Sequence, residues 1–142
     1  MEFQILLITN DHLIIEDLIK NWYLQKKLIR VCILANGPHK ELIKEKLKNY
    51  KKVVVILGEF IDFSTTRNEL IRMCNTDKYY TLYADDSYFI DGQLIIDGKY
   101  KQYIIDVYSG PYIQKRRLLF KGKYYYSGGV HENLICDEPC GH

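Results

Sequence analysis

Two adjacent carboxylates, Asp85 and Asp86, follow directly on the β-rich run Tyr79–Ala84. A buried sheet cannot hold two unpaired like charges side by side, so the chain must leave the sheet there and present the pair at a strand end. Carboxylate oxygens are the ligands a hard divalent cation takes, and such a cation can bridge the two phosphates of a nucleotide-activated donor. The same pair can also cap a turn in solvent. Three other apolar runs lead into polar corners: Thr9-Asn10-Asp11, Asn36-Gly37 and the stretch Asp62–Asn68. Ligands of open α/β sheets bind beyond the carboxyl ends of the strands, so these corners and the carboxylate pair converge on one candidate site. No Gly-x-Gly-x-x-Gly or Walker lysine pattern follows any of the strands, which argues against a dinucleotide or P-loop enzyme. Cys136-x-x-x-Cys140-x-His142 carries ligands zinc prefers, but only three cluster and the usual two-residue cysteine spacing is absent. Tyr124-Tyr125-Tyr126, beside Lys121 and Lys123, could stack on bases or on the apolar faces of sugar rings, or form a plain aromatic strand.

The elements that must position these groups are legible from periodicity. Phe3–Thr9 reads as a strand. Leu13, Ile14, Leu18, Ile19 and Trp22 recur at helical spacing, predicting a helix over about Leu13–Leu24 with Asn10 or Asp11 as its cap. Ile29–Leu34 is a second β-rich run, punctuated by Asn36-Gly37-Pro38, and Leu42, Ile43 and Leu47 mark a second helical face among lysines. Lys52–Leu57, with three consecutive valines, reads as a fully buried strand, and Leu70, Ile71 and Cys74 place a third helix after Asp62–Thr66. From Gln93 the texture changes to short β-rich pieces, Gln93–Ile96, Tyr100–Tyr108, Lys115–Phe120 and Lys123–Tyr126, parted by Asp97-Gly98, Gly110-Pro111 and Lys121-Gly122 turns. The tail that holds Gly128-Gly129, His131-Glu132 and Cys136–His142 reads as loop. The expectation is an α/β fold of Rossmann-like βα units around a mixed central sheet, with a small antiparallel β part at the C-terminal end.

Composition limits the partners. The chain has 142 residues, 47% of them hydrophobic, which suits one packed domain over residues 1–142. Twenty basic residues against 18 acidic ones give a formal charge of +2, too small a field for general nucleic-acid or membrane-surface binding. The run Phe3–Ile8 is too short to span a bilayer or to serve as a signal segment, so a soluble cytoplasmic protein without a transmembrane segment is expected. The four cysteines read as reduced thiols, and a homodimer is one assembly the sequence leaves open.

The segment Asp62-Phe63-Ser64-Thr65-Thr66-Arg67-Asn68-Glu69 is followed about fifteen residues later by Leu82-Tyr83-Ala84-Asp85-Asp86. In order and spacing this resembles the family 2 glycosyltransferases, where an Asp-Phe-Ser-x-x-Arg-Asn segment opens the helix before a strand that ends in the carboxylate metal motif. Arg117-Leu118-Leu119-Phe120, with Tyr126-x-Gly128-Gly129-Val130-His131-Glu132, is similar to that family's Arg-Leu-Phe…Gly-x-Ile-His-Glu segment. The resemblance implies the A-type nucleotide-sugar fold, with residues 1–92 as the nucleotide-sugar-binding half and 93–142 as the acceptor side. It further implies an inverting transfer of a sugar from a nucleotide-sugar, a UDP-sugar by family frequency, to a hydroxyl of a glycan or protein acceptor.

By the same resemblance, Thr9, Asn10 and Asp11 would face the nucleoside, and Arg67 would reach the base or the diphosphate. Asp85 and Asp86 match the family's ribose-facing and metal carboxylates, so Asp85 would also contact the nucleotide-sugar and the pair would hold Mn²⁺ or Mg²⁺, with His131 as a third ligand and Glu132 as the general base. Asn36 stands where the family often has an acidic residue that contacts the base. Tyr83 stands where many members have the first aspartate of Asp-x-Asp, which makes Asp86 the preferred metal ligand. The chain also stops short of regions most relatives continue into. The alternative is therefore a non-catalytic nucleotide-sugar-binding or interaction module, or a fragment of a longer or split transferase. A nucleotidyltransferase using the same carboxylates lacks the expected basic triphosphate loop.

Overall fold

A computed structural model describes the backbone of residues 1–59, 63–85, 88–109, 113–122, 124–127 and 133–136, and the side chains of residues 1–59, 65–85, 88–109, 117 and 119–122. Three βα units open the chain: β1 (Phe3–Thr9) with α1 (Ile15–Trp22), β2 (Leu28–Ala35) with α2 (Lys40–Leu47), and β3 (Val53–Leu57) with α3 (Phe63–Met73). Next come β4 (Tyr80–Ala84), β5 (Gln102–Ser109), β6 (Ile113–Phe120), β7 (Tyr124–Ser127) and β8 (Asn133–Cys136). Six strands form one mixed sheet in the order β3-β2-β1-β4-β6-β5, parallel from β3 to β4 and antiparallel at β6. The fold is α/β and compatible with a Rossmann-like arrangement, as its sequence pattern implied.

Alternation along β1 explains why both sheet faces are covered. Phe3, Ile5 and Leu7 join one core with Leu18 and Trp22 of α1 and Ile43 of α2. Leu6 points the other way, into a second core with Cys32, Leu34 and the α3 residues Leu70 and Ile71. A strand buried on both faces must be apolar at successive positions, and the run from Ile5 to Ile8 satisfies that. Gln4 is the polar exception. Its amide donates to the Cys74 carbonyl at 2.5 Å and to Thr81 Oγ1 at 3.0 Å, while Arg30 Nη2 donates to its carbonyl oxygen at 2.6 Å. Cys32 and Cys74, two of the four cysteines read as reduced thiols, are buried and free. The Cys74 thiol is pushed well up by its hydrogen bond to Cys32 and by burial, so it stays protonated.

Several expectations are corrected. Lys52–Leu57 is not a fully buried strand: β3 lies at the sheet edge, and Val54 and Leu57 are exposed. The chain crosses back from β3 to the far side of β1, so α3 packs over β1 and leaves the outer strand partly bare. Three consecutive valines cannot distinguish a central strand from such an edge. The predicted helix Leu13–Leu24 is shorter, because residues 12–14 form a turn before Ile15. The predicted loop-like tail includes β8, which pairs antiparallel with β7 from Tyr124↔Cys136 to Ser127↔Asn133.

Gln93–Ile96 forms no strand. Residues 88–94 instead run along the end of α1, where side chains of that helix and of the turn after it satisfy their backbone. Trp22 Nε1 donates to the Tyr88 carbonyl at 2.7 Å, and Asn21 bonds both the carbonyl and the N–H of Ile90. Gln25 donates to the Gly92 carbonyl at 2.6 Å and accepts from the Leu94 N–H at 2.9 Å. Side-chain amides here replace the sheet partner that the β-rich composition anticipated. Among the described residues, no helix is long and apolar enough to cross a membrane.

Replacing the buried Gln25 by Ala removes a partner from both the Gly92 carbonyl and the Leu94 N–H, and is expected to cost about 1–3 kcal/mol in urea denaturation. The same variant should open the 88–96 segment to limited proteolysis. At the next turn, the Tyr103 hydroxyl donates to Asp97 and holds its carboxyl below the ordinary carboxylate value. A depressed folded-state value adds stability above the unfolded value of about 3.9 and loses it as the pH falls through the folded one. Tyr103→Phe is therefore expected to flatten the acid side of a melting-temperature profile below about pH 4.

Candidate functional site

The strand order reverses at β1: the chain adds β2 and β3 on one side of it, then returns to place β4 on the other. In an open α/β sheet, that reversal opens a crevice beyond the carboxyl ends of the two central strands. β1 ends there at Thr9, and β4 ends at Ala84 with Asp85 immediately after. Leu7 pairs with Ala84, so the register carried one step further sets Asp85 level with Ile8, beside the Thr9-Asn10-Asp11 corner.

The β2 corner is fused to the β1 corner. The Asn36 N–H donates to the Thr9 carbonyl at 3.0 Å, and the Gly58 N–H after β3 donates to the Ala35 carbonyl at 3.0 Å. Gly37 has φ +83°, and a Cβ there would lie 3.2 Å from the Cβ of Asn10. The turn therefore needs glycine twice over, for its backbone angle and for its closeness to Asn10. Thr9, Asn10, Asp11, Asn36 and Asp85 are thus gathered at the strand ends, as their positions in the sequence implied.

Two of these residues also have structural work. Thr9 is buried, and its Oγ1 accepts the Asp11 N–H at 3.0 Å. Asp11 Oδ1 accepts the N–H groups of Leu13 at 2.9 Å and Ile14 at 3.2 Å, and so caps the turn that leads into α1. Asn10 stays exposed at the mouth of the crevice.

Arg67 lies on α3, where its guanidinium carbon is 5.1 Å from the centre of the Tyr83 ring. That stacking gives a role to the tyrosine that precedes the carboxylates in place of an acid: its π-face supports the cation on the α3 side of β4. Asp86, His131 and Glu132 lie outside the described residues, as do Asp62 and the side chains of Cys136, Cys140, His142 and Tyr124–Tyr126. Among the described residues, no three His, Cys, Asp or Glu side chains form a metal-binding group.

Two features of the crevice escape sequence reasoning. His12 and His39 meet with ring centroids 4.1 Å apart and planes tilted by 40°, at the corners that follow β1 and β2. Their closeness to the Asn10-Asp11 and Asn36-Gly37 corners was the available signal. Arg117, from the Arg117–Phe120 motif, lies with its guanidinium carbon 4.9 Å from the Tyr88 ring centre and donates from Nε to the Tyr88 hydroxyl. β4 and β6 pair only at Thr81↔Phe120 and Leu82↔Leu119. Arg117 therefore belongs to the part of β6 that runs on beside the carboxyl end of β4. The Tyr88 N–H in turn donates to the Asp85 carbonyl at 3.2 Å, which ties this cation to the carboxylate corner through one residue.

Compared with models of known protein families and with curated proteins, the chain has no match.

Gly37→Ala is expected to cost about 1–2 kcal/mol, the penalty of a left-handed backbone with a Cβ. It should also displace Asn10. Thermal unfolding reads the first effect, and a shift of the Asn10 side-chain amide in an NMR spectrum reads the second.

Proposed function

We propose that the chain is a metal-dependent inverting glycosyltransferase of the A-type nucleotide-sugar fold. It would transfer a sugar from a nucleotide-sugar, with a UDP-sugar as donor, to a hydroxyl of a glycan or protein acceptor. The observation that carries this reading is the reversal of strand order between β1 and β4, with Asp85 and Thr9-Asn10-Asp11 gathered at that point. The mixed sheet, in which antiparallel β6 follows β4, supports it, as does the motif resemblance from Asp62 to Glu132.

In this reading Asn10 and Asn36 offer amides that can both donate to and accept from a nucleobase edge. Arg67, steadied by Tyr83, directs its fork of donors at the base or the diphosphate. The donor chemistry of Asp85 and Asp86, hard carboxylate oxygens at a strand end, fits Mn²⁺ or Mg²⁺, with His131 as a further ligand. When bound, the cation neutralises the charge that develops on the departing diphosphate. Glu132 takes the proton of the acceptor hydroxyl as its oxygen attacks the anomeric carbon on the face opposite the diphosphate. The new C–O bond forms as the bond to the diphosphate breaks, and the anomeric configuration inverts.

Thermal-shift titration of UDP, GDP and dTDP and their sugars, each with and without Mn²⁺, tests the site, because a ligand that binds the folded state raises the melting temperature. Metal-dependent stabilisation by one nucleotide class is expected, and no stabilisation by any of them overturns the reading. Asp86→Ala should abolish both metal-dependent binding and turnover. Glu132→Gln should keep binding and slow transfer by roughly two to four orders of magnitude, the usual weight of a general base. Full transferase activity in Asp85→Ala/Asp86→Ala would sink the metal assignment. Nucleotide-sugar binding by the native chain without turnover on any acceptor leaves a binding module in place of an enzyme.

A further inference from the structure

Cysteine is small and apolar enough to fill a core, but two cysteines whose thiols touch can also exchange a pair of electrons. Cys32 lies within β2 and Cys74 in the turn that ends α3, and both belong to the core on the α3 face of the sheet, with Leu6, Leu34 and Leu70. The Cys74 thiol donates a hydrogen bond to the sulfur of Cys32. Other bonds hold the two elements in that contact. Gln4 Nε2 and Arg30 Nη2 both donate to the Cys74 carbonyl, at 2.5 Å and 3.3 Å. The helix is already giving way at this point: the Cys74 N–H meets the Ile71 carbonyl, three residues back, at 3.2 Å, and Asn75 has φ +41°. The small movement that turns a thiol contact into an S–S bond therefore falls on a turn and not on a helix interior.

The two sulfurs are made unequal by their surroundings. The hydrogen bond from Cys74 lowers the Cys32 thiol below its ordinary value, and the Arg30 guanidinium acts in the same direction against the effect of burial. The Cys74 thiol is raised by that bond and by burial, and keeps its proton. A buried cysteine without a cation or a second thiol is inert, whereas this pair has an attacking sulfur and a resolving one beside it.

The site also selects its reagent by size. Leu34, the next residue after Cys32 on the same face of β2, and Met73, the chain neighbour of Cys74, line a groove of about 420 Å³ between the end of β3 and α3. From that groove a molecule of two oxygen atoms needs only a small side-chain shift to reach the sulfurs. Cys32 and Cys74 are 3% and 2% exposed, which leaves no approach for a tripeptide disulfide such as oxidised glutathione.

We propose that Cys32 and Cys74 are a peroxide-responsive dithiol, which hydrogen peroxide converts to a disulfide that staples the end of α3 to β2. The Cys32 thiolate attacks one peroxide oxygen, the O–O bond breaks, and the departing hydroxide takes up the proton Cys32 gave up and leaves as water. Cys32 is then a sulfenic acid. The Cys74 sulfur attacks the Cys32 sulfur, its proton passes to the departing hydroxyl, and a second water leaves as the S–S bond forms. The two thiols lose two electrons and two protons, and one peroxide becomes two waters. An external dithiol returns both. The proposal is independent of the transferase reading, since neither cysteine belongs to the strand-end crevice.

The test treats the full native chain with excess hydrogen peroxide in the absence of denaturant, blocks the remaining thiols with iodoacetamide in urea, and maps the tryptic peptides by mass. Peptide 31–40 joined to peptide 73–78 is expected, and dithiothreitol should part them. The linked chain should melt roughly 5–15 °C above the reduced one. In Cys74→Ser, Cys32 should stop at the sulfenic acid and be labelled by dimedone, while Cys32→Ser should show no dimedone label on Cys74. Oxidised glutathione should leave both thiols of the folded chain free. No linkage in the native chain, a linkage that forms only in urea, or one that joins either peptide to Cys136 or Cys140 instead overturns the proposal. So does a linked chain that melts no higher than the reduced one, a dimedone label on Cys74 in place of Cys32, or a glutathione adduct on either cysteine of the folded chain.

Discussion

The central strand β1 is the constraint from which the rest follows. It is covered on both faces and hydrogen-bonded on both edges, to β2 through seven register pairs and to β4 through five. Apolar side chains at successive positions leave no face of β1 for solvent, so helices must lie on both sides of the sheet. α1 and α2 supply one cover and α3 the other. To bring α3 to the second face, the chain must cross from β3 back over β1, and that crossing creates the reversal of strand order. The crevice at the strand ends is thus a by-product of burying one strand completely.

This constraint also explains why structure and chemistry overlap in the crevice. Thr9 and Asp11 satisfy backbone N–H groups where β1 hands over to α1, and Gly37 is required where the β2 corner touches Asn10. A corner held by its own side chains is rigid before any ligand arrives, which lowers the ordering cost of binding. The pairing of Arg67 with Tyr83, and of Arg117 with Tyr88, follows the same principle: each cation lies against an aromatic ring, which limits the rotamers it can visit. A charged side chain that is already oriented gives up less entropy when it meets an anion.

How much of this was legible in the sequence depended on whether the deciding contact was local. The first four strands and three helices were readable because their apolar spacing is set within each segment, and Asp85 stood out because a carboxylate pair cannot continue a buried strand. Long-range partners decided the rest. Nothing within Val53–Leu57 says that it will lie at the end of the strand order, since that depends on where the next helix goes. Gln93–Ile96 has the composition of a strand, but Asn21, Trp22 and Gln25, almost seventy residues earlier, hold the neighbouring backbone. His12 and His39 look like isolated residues until the β1 and β2 corners are brought together. Asn133–Cys136 is too short for its alternation to be told from loop before β7 is placed beside it.

The hold of α1 on residues 88–94 bears on the order in which the molecule comes together. The hydrogen bonds from α1 and from Gln25 just after it join groups 66 to 69 positions apart, so making them closes a loop that spans nearly half the chain. Bonds of such separation form late, because the chain entropy they remove is recovered only when the intervening elements are already compact. The three leading βα units are local by comparison and can collapse on their own as they are synthesised. α1 would then wait with its amides turned to water until the later segment reaches it, and that docking step commits the two halves of the chain to one another.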